Sequence, residues 1–195
     1  EVDFHTLITV STNGGQNLLQ GNSENTSATS AGWLTDISAY RAVAEQRYPG
    51  DEVAQDAYYR SSAISWIEAN KGKAAVLYVE KVANYFNYRN DLATSGAESR
   101  AVDAIAALSY LPLVLLLAVR VATYRRRVPS ALELLLTAIY LGNALLMAVA
   151  YTRIRFRAPL DPLLICVVAA FVAAIAGARL AAGPRESPAA AARAG

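Results

Sequence analysis

The chain is poor in the residues that usually build reactive centres: among its 195 residues there is one cysteine, one histidine and one methionine. Cys166 lies inside an apolar run, so a disulfide framework is excluded and the redox compartment stays unread. His5 alone cannot assemble a metal site. Charge is scarce as well. Charged side chains make up 17% of the chain and the formal net charge is +2, too little to build a surface for nucleic acid. No basic-then-apolar stretch of signal-peptide form precedes the polar half, and position 1 is Glu. The expectation is therefore a C-terminal portion of a longer protein, whose upstream helices carry the polar half across a membrane.

What the chain has in excess is aliphatic surface, unevenly placed. Hydrophobic residues make up 54%, lopsided for a soluble fold. Residues up to about 100 are mixed and polar, whereas almost everything after 101 is apolar. The pattern predicts a mostly all-α chain: an extracytoplasmic region of helices and loops over 1–100, three transmembrane helices at about 104–122, 131–152 and 163–180, and a disordered cytoplasmic tail over 181–195. Pro112 interrupts the first span, and Arg120 at its end is expected to snorkel to the headgroups. Glu133 stands at the start of the second span, and Asn143 in its middle is expected to hydrogen-bond another helix.

Between the second and third spans runs the segment 151–162, with Arg153, Arg155 and Arg157 alternating with Thr152, Ile154 and Phe156. An extended backbone would point all three guanidinium groups one way. Such a row suits a phosphate or a lipid-linked diphosphate, because guanidinium donates two parallel hydrogen bonds to an anionic oxygen pair. The alternative is ordinary topology, arginines holding a loop on the cytoplasmic side. Parity separates the two. With three spans, the basic loop at Arg125, Arg126 and Arg127 and the row at 153–157 fall on opposite faces. Arg120 and the tail's Arg179, Arg185 and Arg193 add to the first side. That side is expected to be cytoplasmic, which turns the row and the polar half outward, where topology gives arginine no reason to cluster.

In the polar half, residues 10–22 concentrate Gly and Asn and read as a tight, structured loop; the spacing fits neither a Rossmann nor a Walker fingerprint. A helix is predicted from Asp51 as N-cap, a break at 70–72, and a second helix over about 73–88. The face of the second helix carries Leu77, Tyr78, Lys81, Tyr85 and Phe86 and suits the membrane interface, or equally the core of the polar half. Tyr40, Tyr48, Tyr58, Tyr59 and Trp66, with Asp36, Asp51, Glu52 and Asp56, suit a sugar-binding surface, although acidic residues at helix starts commonly serve as caps. No pair of them stands out as acid and base.

Three stretches in order, Thr12-Asn-Gly-Gly-Gln-Asn-Leu-Leu-Gln-Gly-Asn22, Tyr59-Arg-Ser-Ser-Ala-Ile-Ser-Trp-Ile-Glu-Ala-Asn70 and Arg153-Ile-Arg-Phe-Arg-Ala-Pro-Leu-Asp-Pro162, resemble the C-terminal half of bacterial GT-C membrane glycosyltransferases. The nearest group looks like the dolichyl-phosphate-mannose-protein mannosyltransferase-like enzymes, with their rhizobial lipopolysaccharide galacturonosyltransferase-like branch. The likeness covers the chain to about residue 180. It implies a multi-pass enzyme of the cell membrane that moves a sugar from a polyprenyl-phosphate donor to a lipid, glycan or protein acceptor outside the cytoplasm. By the resemblance, Arg155 and Arg157, with Arg153, hold the donor lipid phosphate. Thr12, Asn13, Gly14, Asn17, Gly21 and Asn22 form an outer loop near the active site. The family's catalytic Asp lies in an earlier outer loop and has no counterpart here, so this chain alone is expected to be inactive. Many members depend on a divalent metal, but no cofactor and no metal ligand can be nominated. The family often has Asn-Pro where this chain has Asn70 and Lys71. Competing with this reading is a non-enzymatic membrane-anchored protein that binds a glycan or a partner, or an accessory subunit of a separate catalytic half.

Overall fold

In the computed structural model, residues 13–29, 34–89 and 100–181 are described. They form eight α-helices and no strand: α1 (Gly14–Gly21), α2 (Ser38–Arg47), α3 (Glu52–Ala69), α4 (Lys71–Tyr85), α5 (Arg100–Ala122), α6 (Ala131–Ala150), the single turn α7 (Ile154–Arg157) and α8 (Asp161–Ala181). A 3-10 turn, Ala158–Leu160, joins the last two. Among the described residues, three helical stretches are long and apolar enough to cross a membrane: Arg100–Ala122, Ala131–Ala150 and Ile154–Ala178. α5 runs through Pro112 unbroken. Thr12 and the tail from 182 lie outside the described residues.

Local chemistry sets most boundaries. Asp51 caps α3, accepting from the Ala54 amide at 2.9 Å. Ser130 caps α6 through the Glu133 amide at 3.1 Å. The predicted break at 70–72 narrows to Asn70 alone, and α4 starts at Lys71 and stops at Tyr85, two and three residues before the expected ends.

The expected loop at 10–22 is corrected. Its described part is mostly α1, residues 10–12 lying outside the described residues, and two of its three glycines, Gly15 and Gly21, serve close contact. A Cβ on Gly15 would lie 2.0 Å from the Asp56 carbonyl oxygen, and one on Gly21 would lie 1.8 Å from that of Ala150. Gly50 is the one residue described with positive φ, so turn conformations do not explain the motif. The free amides at the start of α1 are capped from another helix: Asp56 of α3 accepts from Gly15 at 2.6 Å and Gln16 at 3.1 Å.

Two buried clusters follow. One, in the polar half, joins Leu19, Ile37, Ala44, Tyr59 and Ala63. The membrane one joins Tyr110, Leu117, Tyr140, Ala144, Leu164, Val167 and Val168, and it takes Tyr85 from α4. α4 lies along α6, where Asn143 donates to the Tyr85 hydroxyl at 3.0 Å and Tyr78 donates to the Leu145 carbonyl at 3.0 Å. Asn143 thus makes the helix-to-helix bond expected of it. Arg120 does not snorkel. It is 5% exposed, pairs with Glu133, donates to the Arg127 carbonyl at 2.8 Å and faces the rings of Tyr124 and Phe171. A carboxylate within reach outweighs the headgroups, because an arginine so paired keeps its hydrogen bonds away from water.

Candidate functional site: the arginine elbow

The chain turns between the second and third spans through a short elbow. α6 ends at Ala150, Tyr151 is extended, with φ −155° and ψ 157°, and Arg153 is extended, with φ −143° and ψ 151°. Helix then resumes at Ile154. The three arginines therefore do not form one row. Two positions along a helix turn a side chain by about 200°, so Arg155 and Arg157 point to opposite sides. Arg155 is exposed, its guanidinium 4.8 Å above the Phe156 ring.

Arg157 is 3% exposed. It donates to the carbonyls of Tyr85 at 2.8 Å and Asn87 at 2.7 Å, the end of α4, where a helix dipole favours a cation. The Tyr110 ring lies 3.7 Å from its guanidinium carbon. Its Nε sits 3.2 Å from an Asp161 carboxylate oxygen, but at an angle that makes no hydrogen bond, so the attraction there is Coulombic. The i,i+4 pairing with Asp161 and the Pro159 turn favour helix over strand here. Arg153 is half-buried and has partners of its own. Burial lowers its pKa, and the nearby charge of Arg155 adds to that. Those two guanidinium groups therefore share one electrostatic neighbourhood.

The polar half holds the elbow from two sides. From α1, the Tyr151 hydroxyl donates to Asn17 at 3.2 Å, Gly21 touches Ala150 and Asn22 donates to the Val149 carbonyl at 2.8 Å. Of the residues assigned to the outer loop, Asn17 thus meets the arginine segment, and Gly21 and Asn22 meet the end of α6 just before it, across more than a hundred positions of sequence. Asn13 and Gly14 do not; Asn13 lines a cleft of about 290 Å3 with Arg41, Glu45, Glu52 and Asp56. From α4, Asn84 reaches the Thr152 hydroxyl at 3.3 Å, and that hydroxyl donates to the Lys81 carbonyl at 2.9 Å.

Lys81 decides between the two settings expected for its helix face, membrane interface or core of the polar half: it is 1% exposed. Its ammonium donates to the Gly21 carbonyl at 3.0 Å, the Ala150 carbonyl at 2.9 Å and the Asn22 side-chain oxygen at 3.2 Å. It joins the C-terminal ends of α1 and α6. Burial lowers its pKa from 10.5 to about 8. A lysine in the apolar stripe with Leu77 and Tyr85 was the available signal, since that face is the one helices bury.

The aromatic residues of the polar half divide. Tyr40, Tyr48, Tyr58 and Trp66 line one groove of about 810 Å3 between α2 and α3, whereas Tyr59 is buried in the cluster of the polar half. No carboxylate lines that groove. Asp51 and Asp56 are occupied as caps, Asp36 accepts from the Ser38 amide at the start of α2, and hydrogen bonds from Ser38 hold the Asp36 carboxyl below its ordinary pKa. Among the described residues, no group of three His, Cys, Asp or Glu side chains could hold a metal. Comparison with family models, with curated proteins and with solved structures gives no match.

Proposed function

We propose that this chain is the outer and membrane portion of an integral membrane glycosyltransferase that moves a sugar from a polyprenyl-phosphate donor to an extracytoplasmic lipid, glycan or protein acceptor. The observation that carries the reading is the elbow: Arg155, exposed beside Arg153, stands on a segment held by two outer helices at the end of two candidate spans. A lipid phosphate released at such a boundary develops negative charge. Guanidinium groups fixed in a poorly hydrated setting stabilise that charge more than water does. In this proposal Arg153 and Arg155 meet the phosphate, and Arg157 holds the segment from inside. The elbow and the polar half face outward, the tail faces the cytoplasm, and the catalytic carboxylate comes from outside this chain.

The experiment is transfer of labelled sugar from polyprenyl-phosphate donors by membranes containing the protein as encoded in full. Arg155→Ala is expected to cut turnover at least tenfold while insertion and unfolding temperature stay unchanged, and Arg153→Ala, at a half-buried and partnered position, to cut turnover as much while insertion stays unchanged. Full turnover in the double variant ends the phosphate-site reading. The groove between α2 and α3 favours a second reading, a membrane-anchored glycan-binding protein without transferase activity. Under that reading no sugar moves in the same assay.

A further inference from the structure

α3 carries two faces with different chemistry. Asp56, Tyr59 and Ala63 form the buried face. Beside it runs a second stripe, Tyr58, Ser61, Ser62, Ser65 and Trp66, at the i, i+3, i+4, i+7, i+8 spacing of a single helix face. A solvated stripe would carry charges and a core stripe aliphatics. This one has neither. It places two aromatic platforms at its ends and three hydroxyls between them. Eight positions at 1.5 Å each separate the platforms by about 12 Å along the axis, on the order of two or three linked sugar rings.

The stripe is the floor of the 810 Å3 groove, and Tyr40 and Tyr48 stand opposite on α2 and its C-cap. The hydroxyls of Ser61 and Ser62 donate to the Tyr58 carbonyl at 2.9 Å, which leaves their lone pairs to accept from a ligand. Tyr40 is fixed through its hydroxyl on Glu24 at 3.0 Å, so that wall is set before anything binds. One charged side chain lines the groove, Arg47, 5.8 Å above the Tyr58 ring. Three serines, Asn70 and Arg47 interrupt the apolar part of the lining, a mixture that suits a sugar better than an acyl chain. The lining presents one cation, where a nucleic acid would need several.

We propose that the α2–α3 groove binds an anionic oligosaccharide, stacked on Tyr58 and Trp66, with its acidic group on Arg47. Aromatic faces meet the C–H faces of pyranose rings, the serines take ring hydroxyls, and a guanidinium matches a carboxylate in two parallel bonds. None of these residues lies on the elbow. The site therefore stands whether or not the chain transfers sugar, and its failure is distinguishable from failure of the transfer assay.

The test is isothermal titration of the full chain in detergent micelles with alginate-derived trimannuronate and with its neutral methyl ester. The acid is expected to bind saturably and the ester about tenfold more weakly. Trp66→Ala and Tyr58→Ala should each weaken the acid by about tenfold or more, with Trp66→Phe retaining most of the affinity. Arg47→Gln should bring the acid to the level of the ester and leave the ester unchanged. Both aromatic positions are partly exposed, so helix content by circular dichroism should not move. Equal affinity for acid and ester overturns the proposal. So does unchanged binding in Trp66→Ala, or no saturable binding of either sugar at millimolar concentration.

Discussion

Lys81→Met tests the joint between the helices of the polar half and the elbow, because two effects of opposite sign meet at one side chain. The ammonium is shut away from water with three oxygen partners and no carboxylate among them. No charged residue lies in α1, and the charge nearest Lys81 in its own helix, Glu80, is exposed. Burial lowers its pKa from 10.5 to about 8. The difference, 10.5 − 8 = 2.5, corresponds at about 1.4 kcal/mol each to a cost of roughly 3 kcal/mol for keeping the charge buried below pH 8. Methionine removes that cost and strands three acceptors, two of them helix-end carbonyls. At about 1–3 kcal/mol per unpaired buried group the loss is roughly 3–9 kcal/mol, so the loss wins. The variant should be less stable by a few kcal/mol near neutral pH.

The pH dependence has a definite sign. The folded pKa lies below the unfolded one, so between about pH 8 and 10.5 the unfolded chain binds more protons and wild-type stability gains as pH rises. The methionine variant has no such gain. The stability gap between the two should widen by up to about 3 kcal/mol across that window. Reversible unfolding in mixed micelles between about pH 7 and 10, followed by near-ultraviolet circular dichroism, reads the gap directly. Titrations common to both proteins cancel in the difference. A variant as stable as wild type near neutrality, or a gap that narrows toward alkaline pH, refutes the cage.

Two further substitutions probe the same joint. Gly21→Ala places a Cβ against the Ala150 carbonyl, where neither backbone can yield, and should destabilise by about 1–3 kcal/mol. Gly14→Ala, at a position with nothing within 4 Å, should stabilise by up to about 1 kcal/mol, and thermal unfolding of the pair checks the contrast. Asp56→Ala removes the cap from α1 and should cost about 1–2 kcal/mol. Its ion-pair partner Arg60 has a side chain that is 60% exposed, so Arg60→Ala should cost less than about 1 kcal/mol by the same measurement.

Helical class and the three long apolar stretches were readable in the sequence because hydrophobic length is a local property. Asp51 as a cap and Asn143 as a helix-to-helix donor were readable for a similar reason: each role needs a neighbour within a turn, or merely an apolar setting. The contacts that build the elbow are of another kind. Asn22 meets Val149 and Lys81 meets Ala150 across wide stretches of sequence, and a residue's own surroundings say nothing of a partner that far away. Gly and Asn in 10–22 suggested a turn because both residue types favour turns, yet glycine serves close packing as readily, and only the partner helix decides between the two.

The arginines show how much hangs on backbone period. At a period of two, Arg153, Arg155 and Arg157 would be equivalent, and one role would cover all three. The helix that begins at Ile154 makes them different: Arg157 is drawn inward by the carbonyls that end α4, and Arg155 is turned to the boundary. The inward arginine ties the elbow to the polar half, as Lys81 does from the other side. A charge meant to meet a phosphate is effective only if its backbone is held, since a guanidinium free to reorient gives up much of what it gains on binding. The buried cations at the elbow are thus what would let the exposed one act.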